Sequence, residues 1–87
     1  MSQRPTSVSV RVLLFASYAE TLGCDELELS LDAPATVGDV LQRIQTLPGG
    51  EQLPPKPLCA LNLSQVGSAA AVASGDELAL LPPLSGG

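Results

Sequence analysis

Val8, Val10, Val12 and Leu14 alternate with Ser9, Arg11 and Leu13 near the start of the chain. Period two with β-branched residues predicts a strand over Ser7 to Phe15, and Leu13 and Phe15 on its second face predict a far end covered on both sides. Ala16 to Leu22 reads as a short helical turn, favoured by Ala16, Ala19 and Glu20, with Gly23 placed to stop it. From Glu26 to Leu31, Leu27, Leu29 and Leu31 face one way while Glu26, Glu28 and Ser30 face the other. That pattern is a half-exposed strand.

After an Asp32-Ala33-Pro34 turn, Thr36 stands three residues before Asp39, an N-cap arrangement related to the capping box. The helix it opens carries Val37, Val40, Leu41, Ile44 and Leu47 on one stripe, enough to cover one face of a sheet. Pro48-Gly49-Gly50 ends it, and the Pro- and Gly-rich stretch over 49–57 reads as loop. Leu58 to Leu63 predicts another strand. The Ala-rich Ser64 to Ser74 stretch predicts a brief strand near Val66 and a turn around Ala69 to Ala73. Glu77 to Leu81 predicts the last strand, with Leu78 and Leu80 on one side and Ala79 and Leu81 on the other.

A single long amphipathic helix covers one face of such a sheet and leaves the other wet or used. The right-handed crossover rule places the first and last strands together in the middle of a mixed sheet. This is the outline of an α+β, β-grasp (ubiquitin-like) fold: a mixed sheet of four to five strands over 1–81, with a C-terminal tail over 82–87. A ferredoxin-like sandwich is the alternative, but it needs two full-length helices, and Ala16 to Leu22 is short for one.

Composition narrows the chemistry. The 87 residues suit one domain with one core. His is absent, and the two cysteines, Cys24 and Cys59, are too few for an all-cysteine zinc site or a four-cysteine iron–sulfur cluster. No metal site is expected, and both cysteines read as small buried hydrophobes. Four Lys+Arg against nine Asp+Glu give a net charge of −5, which repels a phosphate backbone. With one Tyr, one Phe and no Trp there is little on which bases could stack. Nucleic acid is therefore a poor partner, and a basic protein a better one. No stretch has the roughly 18 apolar residues that span a bilayer, and Met1 to Thr6 is polar, so no membrane partner is expected and the cytoplasm is the expected compartment.

The most informative stretch is Leu81-Pro82-Pro83-Leu84-Ser85-Gly86-Gly87. The two prolines offer no N–H, so the ladder stops and a stiff extended lead-in begins. From Pro82 to Gly87 the chain reaches roughly 20 Å when extended. Gly86 and Gly87 carry no side chain, so this backbone fits a slot too narrow for a Cβ and brings the Gly87 carboxylate to a buried reaction centre. At average glycine usage of about 7%, a closing Gly-Gly arises by chance in roughly one chain in two hundred. Its position just after a double proline and a final strand makes it a stronger signal.

A carboxylate is an unreactive anion at neutral pH. An ATP-dependent partner could convert it to an acyl-adenylate, and a sulfur nucleophile could then displace AMP to leave a thiocarboxylate on Gly87, ionised and nucleophilic as thiolates are. Holding the tail costs about 1–2 kcal/mol of backbone entropy per ordered residue. Leu81 and Leu84, buried by a partner, would each return about 1.5–3 kcal/mol, and the uncovered sheet face around Ala79 adds area.

Val12-Leu13-Leu14-Phe15-Ala16, Glu20 and Gly23, Thr36-Val37 with Leu41, Leu61-Asn62, Gly75-Asp76-Glu77-Leu78 and the closing Leu81 to Gly87 together resemble the small subunits of molybdopterin synthase, ubiquitin-like sulfur carriers. The closing stretch is the specific part. Two positions depart from the family pattern: Ala19, where a basic residue is frequent, and Leu80-Leu81, where aromatics are frequent. The resemblance implies a large-subunit partner in a heterotetramer and a ubiquitin-activating-like adenylyltransferase that uses ATP. It also implies that the carrier binds no cofactor itself and gives sulfur to a cyclic pyranopterin monophosphate held mainly by the large subunit, in molybdenum cofactor biosynthesis. Gly87 would carry the reacting atom, with Leu81, Pro82, Pro83, Leu84, Ser85 and Gly86 as partner contacts. Asn62 matches the family, and by its chemistry is also a polar strand-end residue bonding nearby backbone. Sulfur carriers for thiamine synthesis or tRNA thiolation, ubiquitin-like modifiers, and an interaction module with an inert tail are the alternatives.

Overall fold

The computed structural model describes residues 7–54 and 57–82. In chain order its elements are β1 (Ser7–Leu14), α1 (Ser17–Leu22), β2 (Glu26–Asp32), β3 (Ala35–Thr36), α2 (Val37–Gln45), a 3₁₀ turn (Gly50–Gln52), β4 (Leu58–Leu61), β5 (Ser64–Val66), β6 (Ala71–Val72) and β7 (Glu77–Leu81).

Five strands form one sheet in the order β2-β1-β7-β4-β5. The alternation along β1 sets its register. Val8, Val10 and Val12 stand opposite Leu31, Leu29 and Leu27 of antiparallel β2, so the apolar side of both strands falls on one face. On its other edge β1 pairs in parallel with β7, matching Val12 to Leu78 and Leu14 to Leu80. A parallel pair needs a long crossover, and the chain between these strands supplies α2. The expected central pairing of first and last strands is therefore present. β4 runs antiparallel to β7, with Cys59 opposite Leu80 and Leu61 opposite Leu78.

Helix α2 begins where the sequence placed its cap. Thr36 Oγ1 accepts from the Asp39 N–H at 3.3 Å, and Asp39 Oδ2 accepts from the Thr36 N–H at 2.9 Å, which satisfies two helix-start donors reciprocally. Val37, Val40, Leu41 and Ile44 are buried against the inner sheet face, where Val10, Val12, Leu78 and Leu80 are wholly excluded from solvent. Each such side chain contributes about 1.5–3 kcal/mol through burial. Helix α1 ends at Gly23, whose left-handed φ of 78° lets its N–H reach the Ala19 carbonyl. Gly50 packs so closely on the end of α2 that a Cβ there would collide with the Ile44 carbonyl. The Pro48-Gly49-Gly50 stop is thus also a packing contact. No helix among the described residues is long and apolar enough to cross a membrane.

Several expectations need correction. Phe15 is 44% exposed and lies beyond the end of β1, because no described residue covers the outer face there. Helix α2 stops at Gln45, and Leu47 packs on the core from the following turn. The strand expected over Leu58 to Leu63 ends at Leu61, since Asn62 and Leu63 form a turn with φ of 50° and 76°. Ala71 and Val72, expected in a turn, instead pair with Thr36 and Ala35 as a two-stranded ribbon. Two-residue strands are too short to show periodicity, so nothing in the pattern marks this one. Cys59 is buried as expected, whereas Cys24 is only half-buried.

Candidate docking face and tail root

The candidate site grows from the unhelical side of the sheet. Register puts Leu13, Ala79, Ala60, Leu81 and Leu58 on that side, since their strand neighbours Leu14, Leu80 and Cys59 point into the core. At the end where β7 finishes, this face is apolar. Leu58 is paired directly with Leu81 and is 43% exposed. Phe15 follows Leu14, the partner of Leu80, so it emerges level with Leu81 on the other flank. Leu81 and Pro82 are half-buried. Pro83, Leu84, Ser85, Gly86 and Gly87, the remaining expected site residues, lie outside the described residues.

The Phe15 corner is built on an unusual backbone. The Tyr18 N–H donates to the Phe15 carbonyl at 3.1 Å, closing a four-residue turn whose second residue, Ala16, has φ 53° and ψ −125°. This is the type II′ position that glycine normally fills, and a side chain there costs about 1–3 kcal/mol. Tyr18, one residue past Ser17, anchors α1 by burying its ring; burial and then the neighbouring Cys59 thiol push its hydroxyl pKa upward. Burial likewise raises the Cys59 thiol, whose Sγ donates to the Pro57 carbonyl at 3.3 Å. A thiol so placed is a poor nucleophile.

The opposite end of β7 is polar. Arg11 Nε lies 3.2 Å from Glu26 and its Nη1 lies 3.6 Å from Glu77, bridging three strands on the outer face. Both pairs are exposed and worth little to stability, about 0–1 kcal/mol each. Ser9 Oγ donates to Glu28 at 2.8 Å. Asn62 reaches across from the β4–β5 turn: its Oδ1 accepts from the Glu77 N–H at 3.0 Å and its Nδ2 donates to Asp76 Oδ1 at 3.0 Å. Asp76 Oδ2 also accepts from the Ala73 N–H at 2.7 Å. The Asn62 amide first, and then the Ala73 N–H, hold the Asp76 carboxyl below its ordinary range. Asn62 therefore bonds backbone distant in sequence, not the nearby backbone expected of it. Its role is to tie the start of the tail-bearing strand to the neighbouring hairpin.

The arrangement combines a firmly tied strand start, an apolar strand end and a proline-stiffened exit. Sequence reading found Leu81 and Pro82 but missed Phe15 and Leu58 as their flanking neighbours. The signal for Phe15 was present, because it continues the outer-face alternation of Leu13 past a strand already expected beside the last one. Among the described residues there is no group of three or more Cys, Asp or Glu that could hold a metal ion.

Residues 12–87 match the profile of the ThiS family. The chain belongs to that family. The molybdopterin synthase sulfur carrier subunit of Arabidopsis thaliana is 34% identical over 87 residues, covering 99% of this chain and 91% of the relative. Small archaeal modifier protein 1 of Haloferax volcanii is 37% identical over 86 residues, covering 85% of this chain and 95% of the relative. A crystal structure of that archaeal protein superposes with a TM-score of 0.79 at 33% identity, covering 91% and 99% of the two chains. The protein–protein complex of subunits 1 and 2 of the molybdopterin-converting factor from Helicobacter pylori contains a chain with a TM-score of 0.67 at 20% identity, covering 92% and 100%, a likeness of fold. This ThiS-family chain is thus a ubiquitin-like protein of the sulfur-carrier type, homologous to the molybdopterin synthase small subunit. Its β-grasp fold is shared with modifiers as well as with carriers.

Proposed function

We propose that the chain is the sulfur-donating small subunit of a molybdopterin synthase, with the Gly87 carboxylate as its cargo site. The observation that carries this reading is the geometry of the tail root. β7 ends at Leu81 on a corner that is apolar and partly exposed among the described residues, and the sequence beyond it runs Pro82-Pro83-Leu84-Ser85-Gly86-Gly87. A folded handle that leaves its apolar area beside the exit of a side-chain-free terminus suits insertion of that terminus into another protein.

In this reading a ubiquitin-activating-like adenylyltransferase docks on Phe15, Leu58 and Leu81. A Gly87 carboxylate oxygen attacks the α-phosphorus of ATP and pyrophosphate leaves. Hydrosulfide then attacks the acyl carbon, AMP leaves, and the terminus becomes a thiocarboxylate. The loaded chain moves to the large subunit, where the thiocarboxylate sulfur displaces an oxygen substituent at a carbon of a cyclic pyranopterin monophosphate, and water then hydrolyses the acyl–sulfur bond, leaving the sulfur on the pterin and returning the Gly87 carboxylate. The same apolar corner serves both partners in turn, so its affinity for each is moderate. Burying the part of Phe15, Leu58 and Leu81 that is still exposed contributes about 1 kcal/mol apiece, which offsets part of an ordering cost of about 1–2 kcal/mol for each tail residue. The acidic residues Glu28 and Glu77 at the far end of the face, with Glu26 nearer Phe15, favour basic partner surfaces and speed encounter. The reactions belong in the cytoplasm, with two copies of each subunit in the synthase.

The test is rescue of a cell that lacks its own small subunit. Restored molybdenum cofactor with this chain, and none with a Gly87 deletion, is the expected outcome; restored thiamine synthesis or tRNA thiolation in its place overturns the pathway. The likeness to small archaeal modifier protein 1 supports a second reading, in which the activated Gly87 is passed to lysine amines. Covalent adducts on host proteins that vanish on deleting Gly87 distinguish it.

A further inference from the structure

We infer that the apolar corner continues into a groove that takes one basic side chain, an arginine, from the docking partner. The inference rests on the docking reading above and adds a defined contact to it. Beside Phe15 an open groove of about 480 Å³ runs between the end of β1, the start of β2 and α1. Leu13, Phe15 and Ala19 give it apolar walls, and Asp25 and Glu26 line it as well. Phe15 belongs to both the groove and the corner, so a protein seated on the corner reaches the groove too.

Backbone bonds within the domain set the walls. The Leu14 N–H donates to the Asp25 carbonyl at 2.9 Å, which holds the two strand ends together. The Ala19 carbonyl accepts from the Gly23 N–H at 2.9 Å and the Cys24 N–H at 3.2 Å, which closes α1 and turns the chain back towards β2. A groove held in this way needs little ordering when a ligand arrives.

Charge selects the occupant. Among the described residues the basic side chains are Arg11 and Arg43. Arg11 is held by Glu26 and Glu77, and Arg43 Nη1 donates to the Ser30 carbonyl at 3.3 Å. Asp25 is exposed, and its carboxylate makes no hydrogen bond or ion pair among the described residues. Glu20, exposed beside Ala19, adds another negative group at the rim. A long side chain with an apolar stem and a cationic head matches both materials of the groove. Arginine suits it better than lysine, because the planar guanidinium is weakly hydrated, packs on aromatic rings and pairs with carboxylates through two N–H groups. An anionic ligand is repelled, and a purely apolar one covers carboxylates without pairing them.

A small probe and two variants test this. In the free protein, N-acetyl-arginine methylamide at low salt should shift the amide signals of Phe15, Ala19 and Glu26, and the uncharged citrulline analogue should leave them in place. Asp25→Asn should remove most of the arginine response. Against the purified large subunit from the same host, Asp25→Asn, which removes charge, and Ala19→Leu, which fills the groove, should each weaken binding about two- to fivefold. The loss from Asp25→Asn should fade as salt rises past about 0.15 M, where charges are screened within about 8 Å; the loss from Ala19→Leu should persist. Equal responses to the two probes, or an arginine response that Asp25→Asn leaves intact, overturn the inference. So does full affinity in both variants while Leu81→Ala weakens the complex, a result that keeps docking at the corner. If the groove takes the arginine probe but the large subunit does not bind the chain, the groove stands and the docking reading fails.

Discussion

The two ends of β7 are built from opposite materials. At its start, Asp76 and Glu77 are tied by side-chain and backbone hydrogen bonds to Asn62 and Ala73, and the face around them is charged. At its finish, Leu81 pairs with Leu58 and follows Leu80, the partner of Leu14, and here Leu58 and Phe15 keep apolar surface open to solvent. The polar end uses directional bonds to fix where the strand begins. The apolar end leaves surface exposed among the described residues, and it is the end that leads in sequence to Pro82-Pro83-Leu84-Ser85-Gly86-Gly87. One strand thus serves as an anchor on one side and a launching point on the other. Strain divides in the same manner. Ala16 stores it next to the tail root, while Asn62 and Leu63 store it in the hairpin turn at the tied end.

Substitutions along this strand should separate the two functions. The largest effect is expected from Leu80→Ala, in the buried middle of β7: about 2–5 kcal/mol of stability lost in urea titration, since the cavity lies in a fully excluded core. Leu81→Ala, one residue on and on the outer face, should cost much less stability but weaken large-subunit binding by about 1 kcal/mol, read by calorimetry. If Leu81→Ala and Leu80→Ala lower stability equally, the outer face is core and the comparison collapses. Asn62→Ala should do the reverse of Leu81→Ala. It removes the bonds to Asp76 Oδ1 and the Glu77 N–H, both exposed to solvent, for a loss of about 0.5–1.5 kcal/mol, with affinity unchanged.

Leu63→Gly tests the strain at the tied end. Leu63 is 92% exposed at a φ of 76°, so glycine removes strain and loses no packing; a gain of about 1 kcal/mol is expected. The smallest effect is one of pH. Because the folded Asp76 pKa is depressed, its contribution to stability is complete above the unfolded carboxylate value of about 3.9 and is lost as pH falls through the folded value. Asn62→Ala removes the larger cause of that depression. The stability gap between wild type and Asn62→Ala should therefore narrow as pH drops below about 4, and a gap that widens would remove Asp76 from the account.

Much of this was legible in the chain. The alternation of Val8 to Leu14 and of Leu27 to Leu31 fixes which face is buried, and the Thr36–Asp39 pair marks the start of α2. Both are local signals, and both match the structure. The fold class followed from one long helix among several strands. The β3–β6 ribbon was not legible, because two residues carry no period and their pairing is decided by how the ends of α2 and the Ser68–Ala70 backbone meet: the Val37 N–H donates to Ala70 and the Gly38 N–H to Ser68. The turn at Asn62 and Leu63 was missed for a related reason, since leucine is a poor marker of left-handed backbone. Of the site, Leu81 and Pro82 were found from the tail motif. Leu58 was not, because its value lies in its register with β7, which becomes visible only when strands are paired; Phe15 continues the legible outer-face alternation of Leu13, but the pattern predicted that end to be covered on both sides.

The central claim is that Gly87 is a sulfur-bearing terminus, and the intact mass of the protein tests it most directly. After incubation with an adenylyltransferase from the same host, ATP and a sulfur donor, the account predicts a species in which one oxygen at Gly87 is replaced by sulfur, absent without ATP and absent from a Gly87 deletion. A mass unchanged under those conditions, with the adenylyltransferase demonstrably active on another carrier, would contradict it.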